Sequence, residues 1–334
     1  MIISQTPYNI VFFGDGTDHP EFYSEYGGST LLTSIDRYCF HSIHEVPPLF
    51  HYKFRANYER TEHVESPLEF RHPLIRDCLE YLRIRNGLNI SDISDIPHAS
   101  DMGMSAHFTV GLLHALHAYR GDVVNPEELA RESVIIGDKQ TERPTGYSEP
   151  YAAAYGGFMR LDFSGKQIVE VNRLNVSPER LRQLESRLLM FHVGDALSSG
   201  LTHLNRTSDT RPDTDELKDM LRMVDKAQNI LESDTLLEDW GQLLTESWRR
   251  GKTISDGFSA YTLHDIYERA VESGAVGGKP VVAGKCLLLV LYAEPEHQRY
   301  IRSALAPVME IPLRFSPAGS RIILQTENSS SGSN

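Results

Sequence analysis

The segment PHASDMGMSAHFTVGLLHAL, residues 97–116, joins a loop to a helix in the way that many anion-binding sites do. Its apolar residues recur at helical spacing from Phe108 onward, and no proline interrupts them. Small residues before a helix present backbone N–H groups at the positive end of the helix dipole, where a phosphate binds well. The loop also holds Asp101 and His107, which differ from the glycine and hydroxyl residues that such loops favour. The segment therefore predicts a phosphate-binding position with altered chemistry.

The elements that position this loop follow one another in an irregular order. YNIVFFG predicts a buried strand that ends at Gly14, and STLLTSIDRYCFHSIHEV predicts at least one more strand. Helical spacing predicts a helix over 72–84 and another that begins after Asn125, whose side chain is expected to cap it. TERPTGYSEP, residues 141–150, is predicted to be a loop. Strands and helices that do not alternate indicate an α+β fold.

The second half of the chain has a different character. Residues 213–273 are predicted to be almost wholly helical, and GAVGGKPVVAGKCLLLVLY predicts a glycine-bearing turn that leads into an apolar strand. We expect one domain over 1–180 and a second over 181–326. The polar tail over 327–334 is predicted to be disordered.

Composition excludes several classes of function. The 33 Lys and Arg residues against 46 Asp and Glu residues leave a formal net charge of -13, so no general attraction to nucleic acid or anionic membranes is expected. The 3 cysteines are scattered and predict no disulfide framework. His41, His44 and His51 suggest a metal site, but no fourth ligand follows at a recognisable spacing. No signal-peptide pattern and no apolar run of about 20 residues is present, so a cytoplasmic location is expected.

Four stretches together resemble the GHMP superfamily of small-molecule kinases. They are QTPYNIVFFGDGTDHPEFYSEYGG, the loop and helix of 97–116, YAAAYGGF, and GAVGGK followed by AG. The pattern is most similar to the bacterial heptose-7-phosphate kinase group, in register from about residue 2 to 326. The resemblance implies a two-domain fold, with a mixed sheet and helices in the N-terminal domain and a helix-rich α/β sandwich in the C-terminal domain. It also implies a sugar-phosphate substrate, with ATP and Mg²⁺ as cofactors.

The resemblance assigns a substrate role to the motif GDGTD. The corresponding family motif is Gly-Gly-Gly-Thr-Asp, so Gly16, Thr17 and Asp18 are candidate substrate-binding residues. A carboxylate that accepts two hydroxyl hydrogen bonds is a common way to hold a sugar. The structural alternative, in which Thr17 and Asp18 only cap the next turn, stays open.

The nucleotide side of the resemblance rests on four residues. Gly103 and Ser105 are candidate nucleotide contacts, and the Ser105 hydroxyl is also a candidate Mg²⁺ ligand. Glu149 stands in the place of the family's catalytic base, although Pro150 is expected to hold its backbone extended. Lys285, in the place of the family's last glycine run, is a candidate phosphate contact. A solvated loop carboxylate and a surface lysine are the plain alternatives.

Other family positions hold residues that cannot do the family's chemistry. Asn9 stands where the family carries an arginine, and Gly137 stands where it carries a glutamate for Mg²⁺. Asp101 places a negative charge where a triphosphate would lie. Two unit charges about 4 Å apart at a partly exposed site repel by roughly 4 kcal/mol. Because phosphoryl transfer depends on positioning and charge stabilisation, these changes predict little remaining transfer.

Three hypotheses follow from this combination. The favoured one is a GHMP-fold pseudokinase that binds a sugar phosphate or a protein partner. The alternative is an active, divergent sugar kinase that uses Glu149, Ser105 and Lys285 in adapted roles. The third is a structural subunit that forms a homodimer through the helices of 215–250, although apolar stripes at that spacing are more often part of a core.

Overall fold

The computed structural model describes residues 1–97, 105–141, 146–165, 167–195, 214–250 and 260–326. The chain forms two compact units that are interleaved along the sequence. The first unit comprises Met1–Tyr8, Arg37–Gly157 and Ser316–Asn334, and the second comprises Asn9–Asp36 and Phe158–Phe315. The division into domains at residue 180 stays a prediction, and the tail of 327–334 lies outside the described residues.

A mixed sheet of eight strands includes the strands of the first unit, and β1 and β2 continue along the chain into the second unit. Six of its strands are β1 (Ile2–Phe13), β2 (Gly28–Glu45), β3 (Phe54–Asn57), β4 (Thr61–Val64), β5 (Leu88–Ser94) and β12 (Arg321–Gln325). Their order across the sheet is β12-β1-β2-β5-β3-β4. Strand β2 pairs antiparallel with β5, whereas β3 runs parallel to β5. Tyrosine, isoleucine, valine and phenylalanine dominate β1, and such residues favour a buried pleated strand.

In the sequence between β4 and Gly157, the described part of the first unit contains four α-helices. They are α2 (Pro73–Tyr81), α3 (Ala106–Arg120), α4 (Pro126–Asp138) and α5 (Ser148–Tyr155). Helix α3 is apolar on nearly all sides and packs against α2, α4 and α5, as expected for a central helix. Helix α4 begins with the predicted cap, because Asn125 and Glu128 form a complete capping box.

Gly111 allows α3 to approach the sheet closely. A Cβ atom at this position would lie 2.7 Å from Thr6 Oγ1 in β1 and 2.8 Å from His41 Nδ1 in β2. The Ser4 hydroxyl also donates to the Gly111 carbonyl at 2.7 Å. A glycine is therefore required at this helix position by the packing of α3 on the two strands.

Replacing Gly111 with alanine is expected to lower the free energy of unfolding by about 2 kcal/mol, because the added methyl group overpacks a closed interface. Gly137 in α4 is the matched control, since no atom lies within 4 Å of the Cβ that an alanine would add there. Gly137→Ala should raise stability by about 0.5–1 kcal/mol through helix propensity. Urea unfolding of both variants tests the pair, and equal effects would contradict the packing argument.

The second unit contains the remaining strands in two groups. Strands β6 (Phe158–Ser164) and β7 (Ile168–Arg173) extend from the first half of β2, with Gly28–Thr33 paired antiparallel to β6. A separate antiparallel sheet has the order β11-β8-β10-β9, formed by β8 (Leu188–Asp195), β9 (Gly277–Ala283), β10 (Cys286–Tyr292) and β11 (Met309–Glu310).

Helices fill the rest of the second unit. They are α1 (Pro20–Tyr26), α6 (Pro178–Arg187), α7 (Thr214–Glu232), α8 (Glu238–Arg250), α9 (Ala260–Glu272) and α10 (Pro295–Leu305). Trp240 of α8 is fully buried, with its ring edge-on to Phe12 and Phe13 at centroid distances of 5.3 and 5.0 Å. This aromatic cluster packs α8 against the end of β1, which leads directly into the GDGTD motif.

The expected α+β fold is confirmed, and the long helical region of the second half is confirmed where the structure describes it. Two local predictions were wrong. Residues 148–150 lie in α5 rather than in a loop, and Gly277 and Gly278 lie in β9 rather than in a turn. None of the helices in the described part of the chain has the length and apolar character that a membrane crossing requires.

Candidate functional site

The GDGTD motif forms a tight turn at the end of β1 in the second unit. Gly14 and Gly16 have φ angles of 89° and 85°, a region that residues other than glycine rarely occupy. A Cβ atom on Gly14 would also collide with the backbone of Ser29. Both motif glycines are therefore needed by the backbone conformation of this turn.

Thr17 holds the turn against β2 through its hydroxyl group. The hydroxyl lies 2.8 Å from the carbonyl oxygens of both Gly14 and Ser29, and it accepts a hydrogen bond from the Ser29 N–H at 3.1 Å. Thr17 is fully buried, and the neighbouring Asp18 is nearly so. The contacts show that Thr17 fixes the motif to β2, while the substrate roles of Gly16, Thr17 and Asp18 stay predictions.

Replacing Thr17 with valine is expected to lower the free energy of unfolding by about 2 kcal/mol, because the buried Ser29 N–H loses its acceptor. Thr17→Ser is the matched control, since serine keeps the hydroxyl and removes only a methyl group. Chemical denaturation of the two variants makes the comparison. A serine variant as unstable as the valine variant would show that the methyl packing, rather than the hydroxyl, holds the turn.

Lys279 of β9 brings a positive charge to the same motif. Its ammonium group forms an ion pair with Asp15 and donates to the Phe12 carbonyl at 3.0 Å. Lys279 is only 5% exposed, so the Asp15 carboxylate acts as the counter-charge of a nearly buried ammonium group, and the Phe12 carbonyl is a second acceptor. Lys279 ends the stretch GAVGGK on which the resemblance rests, and Asp15 stands where the family motif has a glycine.

Lys285 lies in the turn that joins β9 to β10, and it is partly exposed. This place agrees with the plain alternative of a lysine that ends a turn, and a phosphate-binding role stays a prediction. The dense glycine run of the family is replaced here by a regular β hairpin, in which Ala283 pairs with Cys286.

In the first unit, Ser105 is the N-cap of α3. Its side chain accepts a hydrogen bond from the Phe108 N–H at 3.3 Å, and its carbonyl accepts one from the Thr109 hydroxyl at 2.9 Å. His107, two residues after Ser105, is buried, and the centroid of its ring lies 4.6 Å from that of Tyr8. Gly103 lies outside the described residues. The nucleotide and metal roles of Ser105 and Gly103 therefore stay predictions.

Glu149 lies in the first turn of α5 and is partly exposed. The expectation of an extended backbone at this position was wrong. Pro150 occupies the same first turn, where a helix needs no N–H donor, so the proline is compatible with the helix. Whether Glu149 acts as a base stays a prediction.

The end of α4 contains the position at which the family carries a glutamate for Mg²⁺ and this chain has Gly137. Gly137 has open space at its Cβ position. The neighbouring Asp138 points elsewhere on the helix and accepts a hydrogen bond from the Tyr147 hydroxyl at 3.0 Å. The carboxylate that is present therefore ties α4 to the start of α5.

Comparison with known proteins identifies the family of the first unit's helical region. Residues 73–157 match the sequence model of the GHMP kinases N terminal domain. This region of the chain is therefore similar to the N-terminal domain of the GHMP kinases. The matched region spans α2 to α5 and includes Ser105, Gly137 and Glu149.

Several sugar-phosphate and mevalonate kinases are similar to this chain over most of its length. The D-glycero-alpha-D-manno-heptose 7-phosphate kinase of Campylobacter jejuni is 23% identical over 319 residues, which are 91% of this chain and 93% of the relative. The mevalonate kinase of Pyrococcus horikoshii is 26% identical over 80% of this chain and 78% of its own. The crystal structure of a D-glycero-D-manno-heptose 1-phosphate kinase from Bacteroides thetaiotaomicron has a TM-score of 0.77 at 20% identity, covering 98% of this chain and 100% of that one. The fold is thus that of the GHMP kinases.

Within residues 73–157, the described side chains do not provide the Mg²⁺-ATP ligands that the family pattern requires. Gly137 offers no ligand atom, and Asp138 is hydrogen-bonded to Tyr147. The Ser105 hydroxyl oxygen already caps α3. Mg²⁺ prefers several oxygen ligands in octahedral geometry, and Gly137 supplies no side-chain oxygen in the place of the family's glutamate.

Proposed function

We propose that this protein binds a sugar phosphate on a GHMP kinase fold and transfers the γ-phosphoryl group of ATP weakly or not at all. The single observation that carries the proposal is at the end of α4, where Gly137 supplies no carboxylate and Asp138 is engaged by Tyr147. Heptose-phosphate kinases among the relatives suggest the class of ligand.

The GDGTD turn, the candidate substrate-binding motif, supports the proposed binding of a sugar phosphate. The turn of GDGTD keeps its glycine conformations, its threonine hydrogen bonds and a buried ion pair that neutralises Asp15. Asp18 follows directly in this ordered turn and is the proposed acceptor for sugar hydroxyl groups. Retention of this framework, together with the loss of a magnesium carboxylate, favours a ligand-binding role over catalysis.

Thermal unfolding with one ligand at a time tests the proposal. A panel of hexose and heptose phosphates should contain a ligand that raises the midpoint, because a ligand at about 100 times its Kd adds roughly 2.7 kcal/mol to stability. ATP-Mg²⁺ should leave the midpoint unchanged. Asp18→Asn should remove the sugar-phosphate shift, whereas Asp234→Asn, at an exposed position between α7 and α8, should keep it.

A phosphoryl-transfer assay with the same sugars separates the two catalytic hypotheses. The proposal expects little or no transfer above the uncatalysed blank, and turnover of about 1 per second or faster, as kinases achieve, would overturn it. The partial exposure of Glu149 favours testing the divergent-kinase alternative through that residue. If transfer occurs and Glu149→Ala abolishes it, the active-kinase hypothesis replaces the proposal.

A further inference from the structure

The first unit contains a second group of chemically active side chains, none of which has been discussed so far as a nucleotide contact. Cys39 and His41 are two residues apart in β2, so their side chains lie on the same face of the strand. Asp92 in β5 is the direct register partner of His41. Strand pairing therefore brings a thiol, an imidazole and a carboxylate to one place.

The distances within this group suit a small divalent cation. Cys39 Sγ lies 3.3 Å from Asp92 Oδ1, and His41 Nε2 lies 3.6 Å from the same oxygen. All three ligand atoms lie within 4.8 Å of one another. Around a tetrahedral zinc ion with bonds of about 2.0–2.3 Å, neighbouring ligand atoms are separated by roughly 3.3–3.8 Å. The side chains need only small movements to reach that geometry.

We propose that Cys39, His41 and Asp92 form a zinc-binding site in the first unit. Sulfur and nitrogen donors favour zinc over magnesium or calcium, which prefer sets of oxygen ligands. A thiolate and a carboxylate together neutralise the two positive charges of the ion. Neutrality matters here, because Cys39 and His41 are 0% exposed and the Asp92 side chain is only 8% exposed.

Packing around His41 orients the ring for this role. Its Nδ1 atom faces α3 at Gly111, and its Nε2 atom faces Asp92. The Phe108 ring meets the imidazole edge-on at a centroid distance of 4.5 Å. Helix α3 therefore limits rotation of the imidazole, and such outer contacts are a regular part of metal sites.

The site differs from the histidine group expected from the sequence. His44 is three residues from His41, so it lies on the opposite face of β2 and is exposed, and His51 lies beyond the end of the strand. The partner that completes the group is Asp92, which is 51 residues from His41 in the sequence and adjacent to it only through the β2–β5 register. Three protein ligands leave a fourth position, which a water molecule fills in zinc sites of that kind.

The site would act as a link between β2 and β5. Zinc uptake replaces the thiol proton of Cys39 with the metal and releases that proton to solvent, without any redox change. Because the metal would bind the folded unit and not the unfolded chain, its binding free energy would add to the stability of the sheet. The inference is independent of the proposed sugar-phosphate binding.

Metal analysis of the full chain, produced and refolded with Zn²⁺ present, tests the inference. We expect one zinc ion per chain after gel filtration, and a lower melting midpoint after treatment with a chelator. Refolding with Co²⁺ alone should produce a thiolate-to-cobalt charge-transfer band and the strong visible bands of tetrahedral cobalt. A wild-type protein that refolds to its full stability without metal and shows no such band would overturn the inference.

Variants assign the ligands. Cys39→Ser, His41→Gln and Asp92→Asn should each abolish the cobalt band and the chelator effect. Cys78→Ser is the matched control for a buried cysteine, and His44→Gln is the control for a histidine on the same strand. Both controls should keep one zinc ion per chain. Retention of the charge-transfer band in Cys39→Ser, or its loss in Cys78→Ser, would contradict the assignment, and the wild-type spectrum decides if a ligand variant does not fold.

Discussion

Replacing Lys279 with methionine is expected to lower the free energy of unfolding by about 3 kcal/mol at neutral pH. The ammonium group is nearly inaccessible to water, where it pairs with Asp15 and donates to the Phe12 carbonyl. Methionine fills a similar volume but leaves the Asp15 carboxylate without its counter-charge. Breaking a buried pair by removing one partner typically costs 3–5 kcal/mol, and the 29% exposure of the Asp15 side chain places the expected value near the lower end.

A second variant identifies the cause of the loss. Asp15→Asn combined with Lys279→Met removes both charges, so the double variant should be more stable than Lys279→Met alone. Lys226→Met, at a lysine of α7 whose side chain is 58% exposed, should change stability by less than about 0.5 kcal/mol. Urea unfolding at pH 7 measures all of these. A double variant that is less stable than either single variant would show that the pair is not what makes Lys279 important.

The same experiment bears on ligand binding. Asp15 belongs to the GDGTD turn, so loss of its partner should disturb the turn that precedes Asp18. Sugar-phosphate affinity should therefore fall in Lys279→Met and recover partly in the double variant, whereas Lys226→Met should bind as the wild type does. Isothermal titration gives these affinities directly.

Acidification from pH 6.5 to 4 is expected to remove about 3 kcal/mol of stability through one residue, His114 of α3. Burial of the imidazole, followed by the nearby charge of His117, lowers the pKa of His114 to about 4 from its ordinary value of 6.5. The neutral ring contacts the Ser320 hydroxyl at 2.9 Å. Each pKa unit corresponds to about 1.4 kcal/mol between the two protonation states.

The sign follows from proton linkage. Below pH 6.5 the imidazole of His114 is protonated in the unfolded chain, but in the folded chain it stays neutral down to about pH 4. The free energy of unfolding therefore falls as the pH is lowered through this window. His117 on the same helix acts in the opposite direction. Burial alone would lower its pKa, but hydrogen bonds and charges from Glu132 and Asp122 outweigh burial and raise it. The stability that His117 contributes is thus present at low pH and is lost as the pH rises through its folded-state pKa.

Denaturant unfolding at a series of pH values between 4 and 7 tests this assignment. His114→Gln should flatten the loss on acidification, because glutamine can still bond Ser320 but takes up no proton. His264→Gln, at a position whose side chain is 61% exposed, is the control for replacing a histidine that is not buried. If the His114 variant shows the same loss between pH 6.5 and 4 as the wild type, another group is responsible.

Local chemistry made several structural predictions possible. The cap at Asn125 was predicted correctly because it depends on residues three positions apart, which form the capping box wherever the helix begins. The end of β1 at Gly14 was equally local, since the residue there has a positive φ. These features need no knowledge of distant residues.

Predictions failed where distant residues select the conformation. Gly277 and Gly278 favour a turn in isolation, but pairing with Tyr292 and Leu291 of β10 makes them part of a strand. A Cβ on Gly278 would strike the Val290 carbonyl, so this glycine permits close strand packing rather than a turn. Glutamate before proline likewise favours an extended backbone, yet the first turn of α5 accommodates both Glu149 and Pro150.

The sequence alone determined the α+β fold, the resemblance to GHMP kinases and the absence of a carboxylate at Gly137, because each depends on residue type and order. Only the tertiary structure decided that Lys279 neutralises Asp15, and that Cys39 and His41 meet Asp92. Those contacts join residues that are distant in the chain. They depend on strand register and on how closely the elements approach one another. The burial of apolar surface across the whole unit sets both, so no short stretch of sequence determines them.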